Sequence, residues 1–143
     1  MSTAFSKVVT AVIAQLAMQP PVCKSINRAR TYVFPEQETE AVSVQFEQAL
    51  PQRGTIAGAP IDWSTRITVE CYARSVMESG DLAVDPLLER VVARLAVNPS
   101  LGGMVSDLEL IGVEAENTAD GKKTGWVRLI YSADHRTYDG NLN

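Results

Sequence analysis

The chain has 143 residues, 45% of them hydrophobic and 21% charged, with a formal net charge of −4. That is enough chain for one globular domain to bury a core without staples. The mild charge gives no electrostatic footprint for nucleic acid or an anionic membrane, and no apolar run approaches the ~18 residues a membrane-spanning helix needs. The first residues lack the basic flank and small-residue cleavage pattern of a signal peptide. Charge is nevertheless uneven. Residues 1–35 hold Lys7, Lys24, Arg28 and Arg30 and no acid, whereas residues 36–47 hold Glu36, Glu38, Glu40 and Glu47 and no base. Such segments are either solvated separately or matched across a subunit interface.

Phe5, Val8, Val9, Val12, Ile13 and Leu16 recur at helical spacing, with Ser2 or Thr3 as cap and Pro20-Pro21 as the stop. Residues 22–35 are ambiguous, but Ile26 and Thr31–Phe34 suggest extended chain. Val42, Val44 and Phe46 alternate with Ser43, Gln45 and Glu47, which predicts a half-buried strand over Ala41–Ala49. The prolines and glycines of residues 51–61 read as a loop. Trp63–Ala73 alternates over its whole length and predicts a long strand. A polar turn follows around Ser79-Gly80-Asp81, and Asp85-Pro86 places a cap and a first-position proline in their favoured order. Leu87, Leu88, Val91, Val92 and Leu95 form that helix's apolar stripe, and Asn98-Pro99 ends it. Residues 105–116 and 124–133 predict two strands joined by the polar loop NTADGKKTG. The last ten residues, DHRTYDGNLN, show no regular pattern. The order predicts a single α+β domain: a mostly antiparallel or mixed sheet of four to five strands, with two helices on one face. Val44, Phe46, Ile67, Val69, Leu88, Val92 and Leu95 are its expected core.

Few residues carry a case for chemistry. Gly102 and Gly103 follow a helix and precede a strand, the reverse of a phosphate-cradling loop, so they read as a chain reversal. Cys23 and Cys71 lack metal-ligand spacing and fit a reducing compartment better than a secreted scaffold. Glu114 and Glu116 share a strand face without further ligands. Trp63 and Trp126 sit at strand positions suited to packing. His135, the only histidine, has Asp134 and Asp139 nearby, but no nucleophile elbow accompanies it. A small hydrolase or ligand-binding domain using His135 is the alternative from a different class. No cofactor or metal is expected.

The series of elements resembles the tail terminators and tail-completion proteins of long-tailed bacteriophages, the minor tail protein U type in particular. The similarity runs from about residue 3 to residue 133. It is carried by an N-terminal helix, an acidic loop leading into a strand (YVFPEQETEAVSVQF), the strand TRITVECYA, and a helix–turn–strand unit (VDPLLERVVARLAVNPSLGGMVSDLEL). A polar hairpin and the strand GWVRLIYSA complete it. In that unit Leu101-Gly102-Gly103 fills the turn that related tail-completion families carry. The tail after Ala133 is longer and more polar than in the protein U type. The resemblance implies a non-enzymatic virion protein, assembled in the bacterial host cytoplasm and placed at the head-proximal end of the tail. There a hexameric ring caps the tail tube, stops its polymerisation and meets the head–tail connector or neck protein. DNA passes through such a ring without sequence recognition, and no membrane is involved. A connector of similar fold is the nearest alternative. A closed ring needs two different complementary faces on each subunit. The expected interface residues are Lys24, Arg28, Arg30, Glu36, Glu38, Glu40, Lys122, Lys123, His135, Arg136 and Tyr138.

Overall fold

A computed structural model describes residues 3–28, 39–53, 60–74, 80–116, 124–138 and 142. Its elements are α1 (Ala4–Ala17), β1 (Ser25–Arg28), β2 (Glu40–Arg53), β3 (Ile61–Arg74), α2 (Gly80–Val97), β4 (Asp107–Glu116) and β5 (Thr124–Thr137). The sheet order is β1-β2-β3-β5-β4. β1 runs parallel to β2, and every other pairing is antiparallel. This is the α+β domain the sequence predicts.

Strand alternation sorts the sheet into two faces. Val44, Val69 and Leu129 lie level on neighbouring strands, as do Phe46, Ile67 and Tyr131. These rows face the helices. α1 packs on β1 and β2, α2 packs on β3 and β5, and the helices touch each other. α1 is capped by Thr3, whose hydroxyl accepts from the Ser6 amide at 3.2 Å, and it buries Val8, Val9, Val12 and Leu16. α2 contributes Val84, Leu87, Val91 and Leu95, spaced so that one stripe faces the sheet. Cys23 and Cys71 are both buried and form no disulfide, and burial pushes the Cys71 thiol up to about 12.

Two arginines of α2 tie down the chain that leaves α1. The Arg94 guanidinium donates to the carbonyls of Gln15 at 3.2 Å, Met18 at 2.7 Å, and Pro20. In return the Gln15 amide donates to the Arg94 carbonyl at 3.1 Å. Arg90 donates to the Val22 carbonyl at 2.8 Å and pairs with Glu40. The last carbonyls of a helix lack partners within it; in α1 that of Gln15 is met by Arg94, and that of Leu16 by the Val22 amide at 3.1 Å. After α2 the chain reverses through Leu101, Gly102 and Gly103, at φ 50°, 74° and 91°. A Cβ on either glycine would meet nothing within 4 Å, so positive φ explains them and crowding does not.

Several boundaries differ from the sequence reading. α2 begins at Gly80, so Asp85 and Pro86 lie inside it and cap nothing. Val84 already belongs to the buried stripe, which holds that first stretch helical. Leu82, whose carbonyl Pro86 cannot pair with, is 58% exposed. Leu88 and Val92 flank the stripe and are only partly buried. Phe46 is 43% exposed: β2 bulges between Phe46 and Gln48, and only Phe5 of α1 stacks on its ring, at 5.4 Å. β2 continues through Pro51 to Arg53 and β3 starts at Ile61, where a loop over 51–61 is expected. β1 pairs with Ala41–Val44, so among the described residues β2 is an edge strand beyond that point, and edge strands tolerate proline.

The largest departure is at the other end of the chain. β5 does not stop at Ala133 but runs to Thr137, pairing Asp134–Thr137 with Ile61–Ser64. Residues 134–137 are therefore part of the sheet and not a polar extension. The NTADGKKTG loop lies outside the described residues as far as Lys123.

Candidate functional site

The ends of β3 and β5 bring together the residues with the richest chemistry. Trp63 lies opposite His135 and Ile61 opposite Thr137. His135 is 8% exposed and Thr137 fully buried. The His135 Nε2 lies 2.6 Å from the Thr65 hydroxyl, and Trp63 Nε1 donates to the Thr137 hydroxyl at 2.9 Å. Phe5 closes this end edge-on, with ring centroids 5.0 Å from Trp63 and 5.7 Å from His135. The Nδ1 atom of His135 is buried without a hydrogen-bond partner.

A cleft of about 770 Å³ opens at this end, lined by Trp63 and His135 of the cluster and, among others, by Asp62, Ser64, Asp134 and Arg136. Its described residues do not assemble a hydrolytic site. Thr65 is fully buried, so its hydroxyl cannot meet a substrate. Ser64 shares a hydrogen bond of 3.0 Å with Ser132. It and Asp134 project from the sheet face opposite His135, because successive strand residues alternate. Asp139 lies outside the described residues. Asp62 and Arg136 form a two-point pair at 2.6 and 3.2 Å, and the hydrogen bond from Arg136 holds the Asp62 carboxyl below its usual range. Among the described residues no three His, Cys, Asp or Glu side chains come together as a metal set.

Burial lowers the His135 pKa, partly offset by the neighbouring Asp134 charge. The folded chain therefore binds its imidazole proton less readily than the unfolded chain, whose histidine titrates near ~6.5. The stabilisation is fully present above that value and is lost as pH falls below it. Since carboxylates ordinarily titrate near 4, His135 dominates between. The urea midpoint is expected to fall from pH 7.5 to pH 5.5, and His135→Gln to flatten that slope. An equally steep slope in the variant would refute the assignment.

The expected interface residues divide three ways. Arg30, Glu36, Glu38, Lys122 and Lys123 lie outside the described residues. Glu40, Arg136 and His135 are engaged within the chain, by Arg90, by Asp62 and by burial. His135 is thus a core residue of β5 and not a contact in a polar tail. Lys24, Arg28 and Tyr138 are exposed. Arg28 donates to the Ser6 hydroxyl at 2.9 Å and lies 3.4 Å from that of Thr10, both neutral partners.

Hydropathy alternation in the sequence singles out β4, yet its placement at the sheet edge was not legible there. Leu110, Ile111 and Val113 are 37%, 47% and 58% exposed. Asp107, Glu109 and Glu114 are exposed on the same strand.

No known protein family matches the chain, and no curated protein matches it. Among solved structures, it is similar to a chain of the "Virion of native gene transfer agent (GTA) particle". The match covers 91% of this chain and 95% of that one, at 12% identity and a TM-score of 0.48.

Proposed function

We propose that this chain is a structural subunit of a phage-type virion: a tail terminator that closes into a ring on the head-proximal end of the tail tube. The reading rests on the order of elements, which follows the tail-terminator series over nearly the whole chain, helix–turn–strand unit included. The placement of the polar groups agrees with it. The one histidine packs internally, and the serine and aspartate nearest it point to the opposite sheet face. Exposed apolar side chains, Leu110, Ile111 and Val113, stand on β4 at the end of the strand order.

Removing the gene from its parent phage tests the reading. Loss of a terminator leaves tail tubes of uncontrolled length, whereas loss of a connector leaves tails of normal length beside unjoined heads. Electron microscopy of the lysate is expected to show the first. Closed rings of the purified chain, free or on tube ends, are the companion expectation. Normal yields of infectious particles would defeat both variants of the reading.

A further inference from the structure

β5 outruns its neighbour. β4 begins at Asp107, opposite Asp134, whereas β5 stays paired with β3 as far as Thr137. Past Asp134, one side of β5 therefore has no strand beside it among the described residues. The direction of the main chain there follows from one bond. The Ser106 amide donates to the Asp134 carbonyl at 2.7 Å, so Asp134 turns its main-chain groups away from β3. Alternate residues of an antiparallel strand turn these groups the same way, and the β3–β5 pairing runs without a register shift. Arg136 thus presents its N–H and C=O on the side where β4 has not yet begun.

This free stretch borders the cleft of about 770 Å³. His135, Arg136 and Tyr138 line it from β5, and Gly103, Met104 and Val105 line it from the turn before β4. The His135 Nδ1, buried and without a partner, belongs to the same lining. The end of the chain is held elsewhere, because the Leu142 carbonyl accepts from the Ala4 amide at the start of α1. The exposed charges here are mostly acidic. Asp134 and Asp107 stand directly opposite each other, an arrangement that costs stability. Neither forms an ion pair among the described residues. Arg136 is bonded to Asp62 at two points.

We propose that the free end of β5 is a docking edge for an extended, basic segment of another protein, which adds as a strand in line with β4. Main-chain hydrogen bonds to Arg136 fix its register, as in other cases of strand addition. Alternation sorts its side chains. An apolar residue faces Met104, Val105 and His135, while a lysine or arginine on the other face reaches Asp134 and Asp107. An acidic segment meets three carboxylates, those of Asp62, Asp107 and Asp134, against one guanidinium, and is rejected. The proposal stands apart from the terminator reading.

The probe is an acetylated, amidated hexapeptide of alternating valine and lysine, with the valine–glutamate peptide as its charge-reversed counterpart. Each is titrated into the full chain and followed by NMR. The lysine peptide is expected to shift the Arg136 amide and protect it from exchange, and the glutamate peptide to leave it unchanged. Arg136→Ala frees Asp62 and keeps the amide, so binding is expected to hold or tighten. Arg136→Pro loses the same charge and also the amide, which β3 does not use. It is expected to bind the peptide about fivefold or more weakly than Arg136→Ala. Asp134→Lys is expected to abolish binding of the lysine peptide. Thermal melts verify that the variants fold, and if the proline variant does not, Asp134→Lys decides. Equal affinity of the proline and alanine variants, unchanged binding by Asp134→Lys, or shifts centred on β2 or on the outer edge of β4 overturns the proposal. So does a lysine peptide that fails to bind at millimolar concentration. The terminator reading is decided separately, by the tube lengths in the gene-deletion lysate.

Discussion

Val91→Asp is expected to unfold the domain. Val91 is fully buried in the α2 stripe against the sheet, with Leu87 and Leu95 one turn away on either side. A carboxylate placed in that apolar cluster must either lose its hydration or take up a proton, at a cost on the order of several kcal/mol. Total stability of a domain this size is about 5–15 kcal/mol, so the loss is of the same order. The neighbouring change Val92→Asp, at a partly buried position on the flank of the stripe, is expected to cost only about 1 kcal/mol, because the carboxylate can turn toward water. Urea midpoints of the two variants separate them. Equal midpoints would mean that α2 is rotated about its axis from the arrangement described.

The second large effect concerns the end of β5. Deleting residues 134–143 removes the pairing of Asp134–Thr137 with Ile61–Ser64. It also removes the hydrogen bonds of His135 to Thr65 and of Thr137 to Trp63. The two bonds that Ser106 donates to the Asp134 carbonyl, at 2.7 and 2.9 Å, go as well. Phe5 and Trp63 are left with water on one side. A fall in Tm of roughly 10–25 °C is expected, corresponding to a loss of ~3–5 kcal/mol. Deleting only residues 139–143 removes the bond from the Ala4 amide to the Leu142 carbonyl, at 2.5 Å, and is expected to cost about 1 kcal/mol. Thermal melts of the two truncations, side by side, locate where the sheet ends.

That boundary shows why some of the fold was legible in the sequence and some was not. α1 and β3 announce themselves because their inward positions are filled by Val, Ile and Leu, or by Ile, Val and Cys. The last four residues of β5 alternate just as strictly, with His135 and Thr137 inward and Asp134 and Arg136 outward, but the inward pair is polar. Its burial depends on hydrogen bonds to Thr65 and Trp63 that only the folded sheet supplies. α2 misled differently: a good capping signal at Asp85-Pro86 stands inside a helix whose earlier turn is held by Val84. β1 is four residues long and parallel to its neighbour, and no local pattern encodes that partner. For the candidate site, charge led to Lys24 and Arg28, but also to Glu40 and Arg136, which are paired inside the chain. The apolar edge of Leu110, Ile111 and Val113 is not legible in the sequence, since the same alternation describes a central strand and an edge.

The clamp by Arg90 and Arg94 has a consequence for how this protein can vary. Every acceptor that Arg94 uses is a main-chain carbonyl, and so is the Val22 acceptor of Arg90. A guanidinium that grips backbone is blind to the identity of the residues it holds. Met18, Gln19, Pro20 and Pro21 are all exposed, so their side chains are under no obligation to the grip that anchors them. Sequence drift along this connector can proceed while its path is preserved, and the burden of constraint falls on the two arginines of a distant helix.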